Sequence, residues 1–150
     1  MKKLIIGINL VLSLISFSAF AAGEEDVSPQ VLRAFKTEFI NAANVKWTRI
    51  DEIYAVDFTQ NGFRVEAYFD DDGVLLGTSR NIMFNELPLA VNVALCERFK
   101  DAPVYEIFEY TVGTETFYKM KVEVPGKTLI VRSGISGGTM IEKRIKHKNS

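Results

Sequence analysis

The sequence predicts an α+β fold built as two tandem copies of one unit, each a helix followed by a four-stranded antiparallel meander, with the helices packed on one face of the sheet. Three observations predict it. The apolar period changes from about 3.6 to 2 after residue 40, and it does so again after residue 99. Asn-Gly, Asp-Gly and Pro-Gly pairs punctuate the period-two runs, and such pairs favour tight hairpin turns. Finally, Pro29 and Pro88, Ile40 and Phe99, Ala43 and Ala102, and Val45 and Val104 are each 59 positions apart, as an internal repeat requires.

The first element is a segment for export. Lys2 and Lys3 precede an apolar run from Leu4 to Phe20, and Ala19-Phe20-Ala21 fits the small-x-small rule of a signal-peptide cleavage site. A membrane span needs about 20 apolar residues, and this run is shorter and is broken by Gly7 and Asn9. Residues 1–21 are therefore expected to be a cleaved signal peptide, and no stable membrane span is expected after its removal. Loss of Lys2 and Lys3 leaves 16 basic against 19 acidic residues, so an exported, mildly acidic chain is a poor partner for nucleic acid. The expected location is periplasmic or secreted.

Residues 22–27 are acidic and read as a flexible N-terminus. Ser28-Pro29 supplies a helix cap and a proline at the first helical position. Val31, Leu32, Phe35, Phe39 and Ile40 then recur on one helical stripe. Strands follow at Val45 to Ile50, Ile53 to Thr59, Phe63 to Phe69 and Val74 to Ile82, where β-branched and aromatic residues alternate with polar ones. Asn85 and Pro88 mark a second helix start, with Leu87, Val91, Leu95 and Phe99 as its stripe. Four more strands are expected at Val104 to Thr111, Glu115 to Val124, Lys127 to Arg132 and Thr139 to Lys146. The copies span about residues 28–84 and 85–146, and residues 147–150 form a basic tail.

The chemistry-bearing residues are sparse. One Cys forms no internal disulfide, and Cys96 sits among apolar neighbours, so it reads as a small buried hydrophobe. The one His, His147, lies in the tail and reads as solvated, which leaves no Ser-His or Cys-His pair. Asp70-Asp71-Asp72-Gly73 lacks the alternating ligands and closing Glu of a calcium loop, and reads as a hairpin turn. No catalytic, metal or cofactor site is expected, and the chain is not expected to be an enzyme.

The segments Ala43-Asn44-Val45-Lys46-Trp47, Tyr54-Ala55-Val56-Asp57-Phe58, Phe69-Asp70-Asp71-Asp72-Gly73-Val74-Leu75 and Glu86-Leu87-Pro88, in this order, resemble the β-lactamase-inhibitor-like, PepSY-like family of exported bacterial proteins common in the Bacteroides group. Val104-Tyr105-Glu106-Ile107 and Phe117-Tyr118-Lys119-Met120-Lys121-Val122 continue the pattern, so that it covers about residues 28–145. The chain departs from it at Gly134-Ile135-Ser136-Gly137-Gly138, where the family has an acidic turn. The resemblance implies helices on one sheet face and an opposite face partly open. It implies neither lactamase inhibition nor any catalytic residue.

Strand alternation says what that open face carries. With Tyr54, Val56 and Phe58 turned to the helices, Asp57 and Thr59 point away, and so do Arg64, Glu66 and Tyr68. In the second copy Phe117, Lys119, Lys121 and Glu123 are expected on the same outward surface. Aromatic anchors within a polar rim suit protein recognition. The candidate binding face is therefore Arg64, Glu66, Tyr68, Phe117, Lys119 and Lys121, and the expected partner is an envelope protein or peptide. The alternative is a small-ligand carrier or sensor, with a pocket between the copies near Cys96.

Overall fold

In a computed structural model that describes residues 20–147, the chain is mostly β. Nine strands follow one another in chain order through a single antiparallel sheet: β1 Phe20–Ala22, β2 Ala43–Ile50, β3 Ile53–Gln60, β4 Phe63–Asp70, β5 Leu75–Ile82, β6 Val104–Val112, β7 Glu115–Val124, β8 Lys127–Gly134 and β9 Thr139–Lys146. Among the described residues the two α-helices are short, α1 Pro29–Glu38 and α2 Leu89–Phe99. This corrects the expected α+β class of two tandem helix-plus-four-strand copies. Short turns join β2 through β5 and β6 through β9, while α1 carries the chain from β1 to β2 and α2 carries it from β5 to β6. The 59-residue offsets follow the spacing of helices and turns, and they do not divide the sheet.

The expected signal segment lies outside the described residues except for Phe20 and Ala21. Those two pair with Arg49 and Thr48, and Ala22 pairs with Trp47, to make β1. Residues 22–27 contain a short turn. Glu24–Asp26 form a 3-10 turn, the Asp26 carboxylate accepts the Gly23 N–H at 3.1 Å, and Val27 is buried.

The chain divides into two compact units between Thr78 and Ser79. In the first, the Ser28 hydroxyl accepts the Val31 N–H at 3.3 Å, and Pro29 opens α1. Val31 and Phe35 bury one stripe of the helix against Trp47, Tyr54, Val56, Phe58, Ala67 and Phe69. Phe35 meets Trp47, Phe58 and Phe69 edge-on, with ring centroids 5.2, 5.2 and 6.5 Å apart. One residue of the expected helix stripe lies outside this cluster. The helix ends at Glu38 and Phe39 takes a non-helical conformation, so Ile40 leaves the stripe and is 68% exposed. Phe63 opens its strand next to the Asn61-Gly62 turn and is exposed.

The second unit has its own core of Ile82, Leu87, Val91, Leu95, Ile107, Tyr118, Met120, Val122, Leu129 and Val131. Asn85 is not the helix cap. It lies inside a 3-10 turn, Phe84–Glu86, and Pro88 takes the cap position with no side-chain bond, so α2 begins at Leu89. Close approach fixes two glycines. A Cβ on Gly73 would stand 2.9 Å from the Gln30 carbonyl oxygen, and one on Gly137 would stand 2.5 Å from that of Ala90. Each turn thus lies against its helix only because no side chain intervenes, and both glycines have positive φ.

Candidate functional site

Core packing decides which strand residues are free to meet a partner. In the first unit the register pairs Tyr54 with Phe69, Val56 with Ala67 and Phe58 with Val65, all on the helix side. Alternation turns Asp57, Arg64, Glu66 and Tyr68 the other way. Arg64 closes on Asp57 through its Nε, 3.0 Å from Oδ1 and 2.8 Å from Oδ2, and its terminal nitrogen also bonds Oδ2. That carboxylate raises the Arg64 pKa above its ordinary value. The Tyr68 hydroxyl donates to Glu66 at 2.8 Å. Arg64 is 81% exposed along its side chain, and Tyr68 is half-buried.

In the second unit, Phe117, Lys119, Lys121 and Glu123 alternate with the buried Tyr118, Met120 and Val122. Phe117 is only 6% exposed. Its ring stacks on Tyr110 at 5.2 Å and 17°, Arg132 lies over it at 3.9 Å, and Phe108 adjoins Tyr110 at 6.3 Å. Phe117 is therefore the floor of an aromatic and guanidinium stack, and the half-buried Phe108 and Tyr110 share it. Lys119 forms a 2.8 Å ion pair with Glu142, and Lys121 pairs with Glu106. Sequence reasoning missed Arg132 as a site residue. The Pro125-Gly126 turn carried the signal, since it sets the β7–β8 register and brings Arg132 opposite Lys119.

His147 is not a solvated tail. Its N–H donates to the Gly126 carbonyl at 3.0 Å, and its Nε2 stands 2.9 Å from Thr128 Oγ1 and 3.3 Å from Glu123 Oε1. Glu123 Oε2 also accepts from Tyr105 at 3.1 Å and from Thr128 at 3.0 Å. A hydroxyl, a His and a carboxylate thus stand together, but hydroxyl and carboxylate share one ring nitrogen. A nucleophile relay needs them on opposite nitrogens, so the cluster ties down the end of β9 and does not activate Thr128. Residues 148–150 of the expected tail lie outside the described residues.

Cys96 is exposed, against the expected burial, because Val91 and Leu95 take the inward side of α2. Its Sγ is 3.5 Å from Asn92 Oδ1. It borders a hollow of about 200 Å3 within the second unit, lined also by Phe84, Leu95, Lys100, Ala102 and Val104. A second hollow, of about 270 Å3, lies in the first unit between the end of α1 and the start of β2. Both fall below the usual range for small-molecule sites, about 300–1,000 Å3. The Asp70 turn uses its acids internally: Asp70 Oδ1 accepts the Asp72 and Val74 N–H groups, and Asp71 pairs with Arg49 at 2.8 Å. Among the described residues no helix is long and apolar enough to cross a membrane.

No family model and no curated protein matches the chain. Solved structures do. A BLIP-like protein of Bacteroides fragilis is 26% identical, superposes with a TM-score of 0.72, and aligns over 82% of this chain and 89% of its own. A predicted periplasmic protein of Bacteroides eggerthii is 20% identical, with a TM-score of 0.70 over 80% of this chain and 88% of its own. A DUF2874 family protein of Bacteroides uniformis is 18% identical, with a TM-score of 0.71 over 80% and 89%. The structural neighbours thus include BLIP-like and DUF2874 proteins of Bacteroides, in agreement with the inhibitor-like resemblance read in the sequence. Its PepSY-like part rests on the sequence alone.

Proposed function

We propose that a chain with these BLIP-like and periplasmic structural neighbours is a non-enzymatic exported module, periplasmic or secreted, that recognises an envelope protein or peptide through the strand surface turned away from its helices. The observation that carries this reading is the stack of Phe108, Tyr110, Phe117 and Arg132, flanked by the Lys119–Glu142 and Lys121–Glu106 pairs. Aromatic residues and Arg dominate the energetic centres of protein interfaces, and a polar rim excludes water around them. In the first unit Arg64, Glu66 and Tyr68 offer a smaller patch of the same chemistry, with both charges already positioned by neighbours. Prior order of this kind lowers the entropy lost on docking. The small-ligand alternative has less behind it, since the hollow beside Cys96 is small for a ligand site.

The test is affinity capture from an envelope extract with the full chain as bait, beside Arg64→Ala/Tyr68→Ala and Tyr110→Ala/Arg132→Ala chains of unchanged far-UV circular dichroism. A specific protein held by the wild type and lost by the Tyr110→Ala/Arg132→Ala chain supports the reading. A protein held equally by all three places recognition elsewhere.

A further inference from the structure

We infer that the outer edge of β2 is a strand-acceptor site for an extended segment of another protein in which apolar residues are followed by carboxylates, that β1 holds this place in the uncleaved chain, and that the expected cleavage after Ala21 leaves the edge open to its partner. Three observations carry this. First, the edge already holds a strand of that kind. Phe20–Ala22 pairs antiparallel with Arg49, Thr48 and Trp47, and then the chain turns away at Gly23 into its own acidic run, Glu24, Glu25 and Asp26.

Second, the edge continues where β1 stops. Among the described residues no strand pairs with Ala43–Lys46 on that side, and these four residues are exposed. A strand that kept the β1 register and ran on would next lie opposite Lys46 and Val45. Beside them opens the 270 Å3 hollow, where Leu32, Phe39, Ile40, Ala42 and Val45 offer an apolar wall. Ile40 is 68% and Val45 38% exposed, and both line this hollow.

Third, charge selects the occupant. Arg64 takes up the Asp57 carboxylate that faces Lys46, so the Lys46 ammonium has no ion pair among the described residues. Lys36 stands at the rim of the hollow, where Glu24 already answers it at 3.4 Å. Carboxylates on the incoming strand thus have the Lys46 ammonium to meet, and the Lys36 ammonium where they displace Glu24. A second copy fits poorly: two β2 edges paired antiparallel about Trp47 and Thr48 would set Lys46 against Arg49, and like charges directly opposite destabilise a strand pair. Main-chain bonds would supply affinity, and the hollow and the lysines would supply selectivity.

The probe is a fluorescein-labelled peptide copying residues 20–26 with Val in place of Gly23, so that the strand runs on, followed by fluorescence anisotropy. An Ala21→Pro/Ala22→Pro chain removes two consecutive amides, one of which faces β2, and so weakens the place-holder. This full-length variant should bind the peptide about tenfold more tightly than the wild type, because a tethered strand no longer competes at high effective concentration. Adding Lys46→Glu should weaken binding about threefold, and a peptide with lysines for its three carboxylates should not bind. In the wild-type chain, excess peptide should slow hydrogen exchange over Ala43–Ile50, a measurement that stands even if the proline variant fails to fold. Binding to neither chain, equal binding to both, indifference to Lys46→Glu, exchange over β2 that the peptide leaves unslowed, or self-association of the proline variant that the peptide does not reverse would each overturn the inference. Tyr110→Ala/Arg132→Ala, which tests the outward surface, should leave this binding unchanged, so the two proposals fail separately.

Discussion

The Arg132 guanidinium lies 3.9 Å from the centroid of the Phe117 ring, and this contact, with Tyr110 stacked at 5.2 Å, covers the ring. Phe117 therefore contributes to stability first and to any interface only through what sits on it. Phe117→Ala should cost about 3 kcal/mol in urea unfolding, the size of a buried aromatic truncation. Arg132→Ala should cost about 1 kcal/mol, the size of a cation–ring contact at a partly exposed site. Equal losses for the two would contradict this division of roles.

Gly137 and Gly62 share a left-handed backbone but not their surroundings. A Cβ at Gly137 would stand 2.5 Å from the Ala90 carbonyl oxygen, whereas one at Gly62 would meet nothing within 4 Å. Gly62→Ala should cost about 1 kcal/mol, from backbone strain alone. Gly137→Ala adds a clash with helix backbone and should lower the melting temperature clearly further. Equal shifts for both would mean that the α2 contact yields freely.

The Tyr118 hydroxyl is pushed above the ordinary phenol value, first by burial and then by the charge and hydrogen bond of Glu109, 3.3 Å away. The folded state thus holds this proton more tightly than the unfolded chain does. Its contribution to stability is fully present below the ordinary phenol value, about 10, and is lost as pH rises through the higher folded value. Urea midpoints measured from pH 8 to 11 should fall less steeply for Tyr118→Phe than for the wild type. Parallel falls would refute the link.

Helix starts that look alike in sequence should respond differently. Ser28 caps α1 with its hydroxyl, so Ser28→Ala should cost about 1 kcal/mol. Asn85 lies inside a 3-10 turn and no side-chain bond caps α2, so Asn85→Ala should leave the unfolding midpoint nearly unchanged.

Sequence made the secondary elements legible because period and turn chemistry are local. The Asn61-Gly62 and Pro125-Gly126 turns fix the registers of β3–β4 and β7–β8, and from those registers the side of the sheet taken by Arg64, Tyr68 and Lys119 follows. What remained hidden depends on distant partners. Continuation of the strands into one sheet is set by pairing across the whole chain, which spacing does not report. The burial of Phe117 depends on Arg132, and the capture of His147 depends on Glu123 and Thr128, each brought close only by the finished strands. The exposure of Cys96 and Ile40 turned on helix phase and helix end, which shift by a residue or two without changing the apolar pattern. Phe20 and Ala21 read as part of a processing signal, yet they also suit the edge of β2, and a short apolar strand has no pattern of its own to announce it.

The most direct test of the outward surface as a recognition site is capture from an envelope extract by the wild-type chain and by the Tyr110→Ala/Arg132→Ala chain, compared by quantitative mass spectrometry. The account predicts at least one protein enriched on the wild type and absent from the variant while both remain folded. Identical recoveries on the two baits would contradict it.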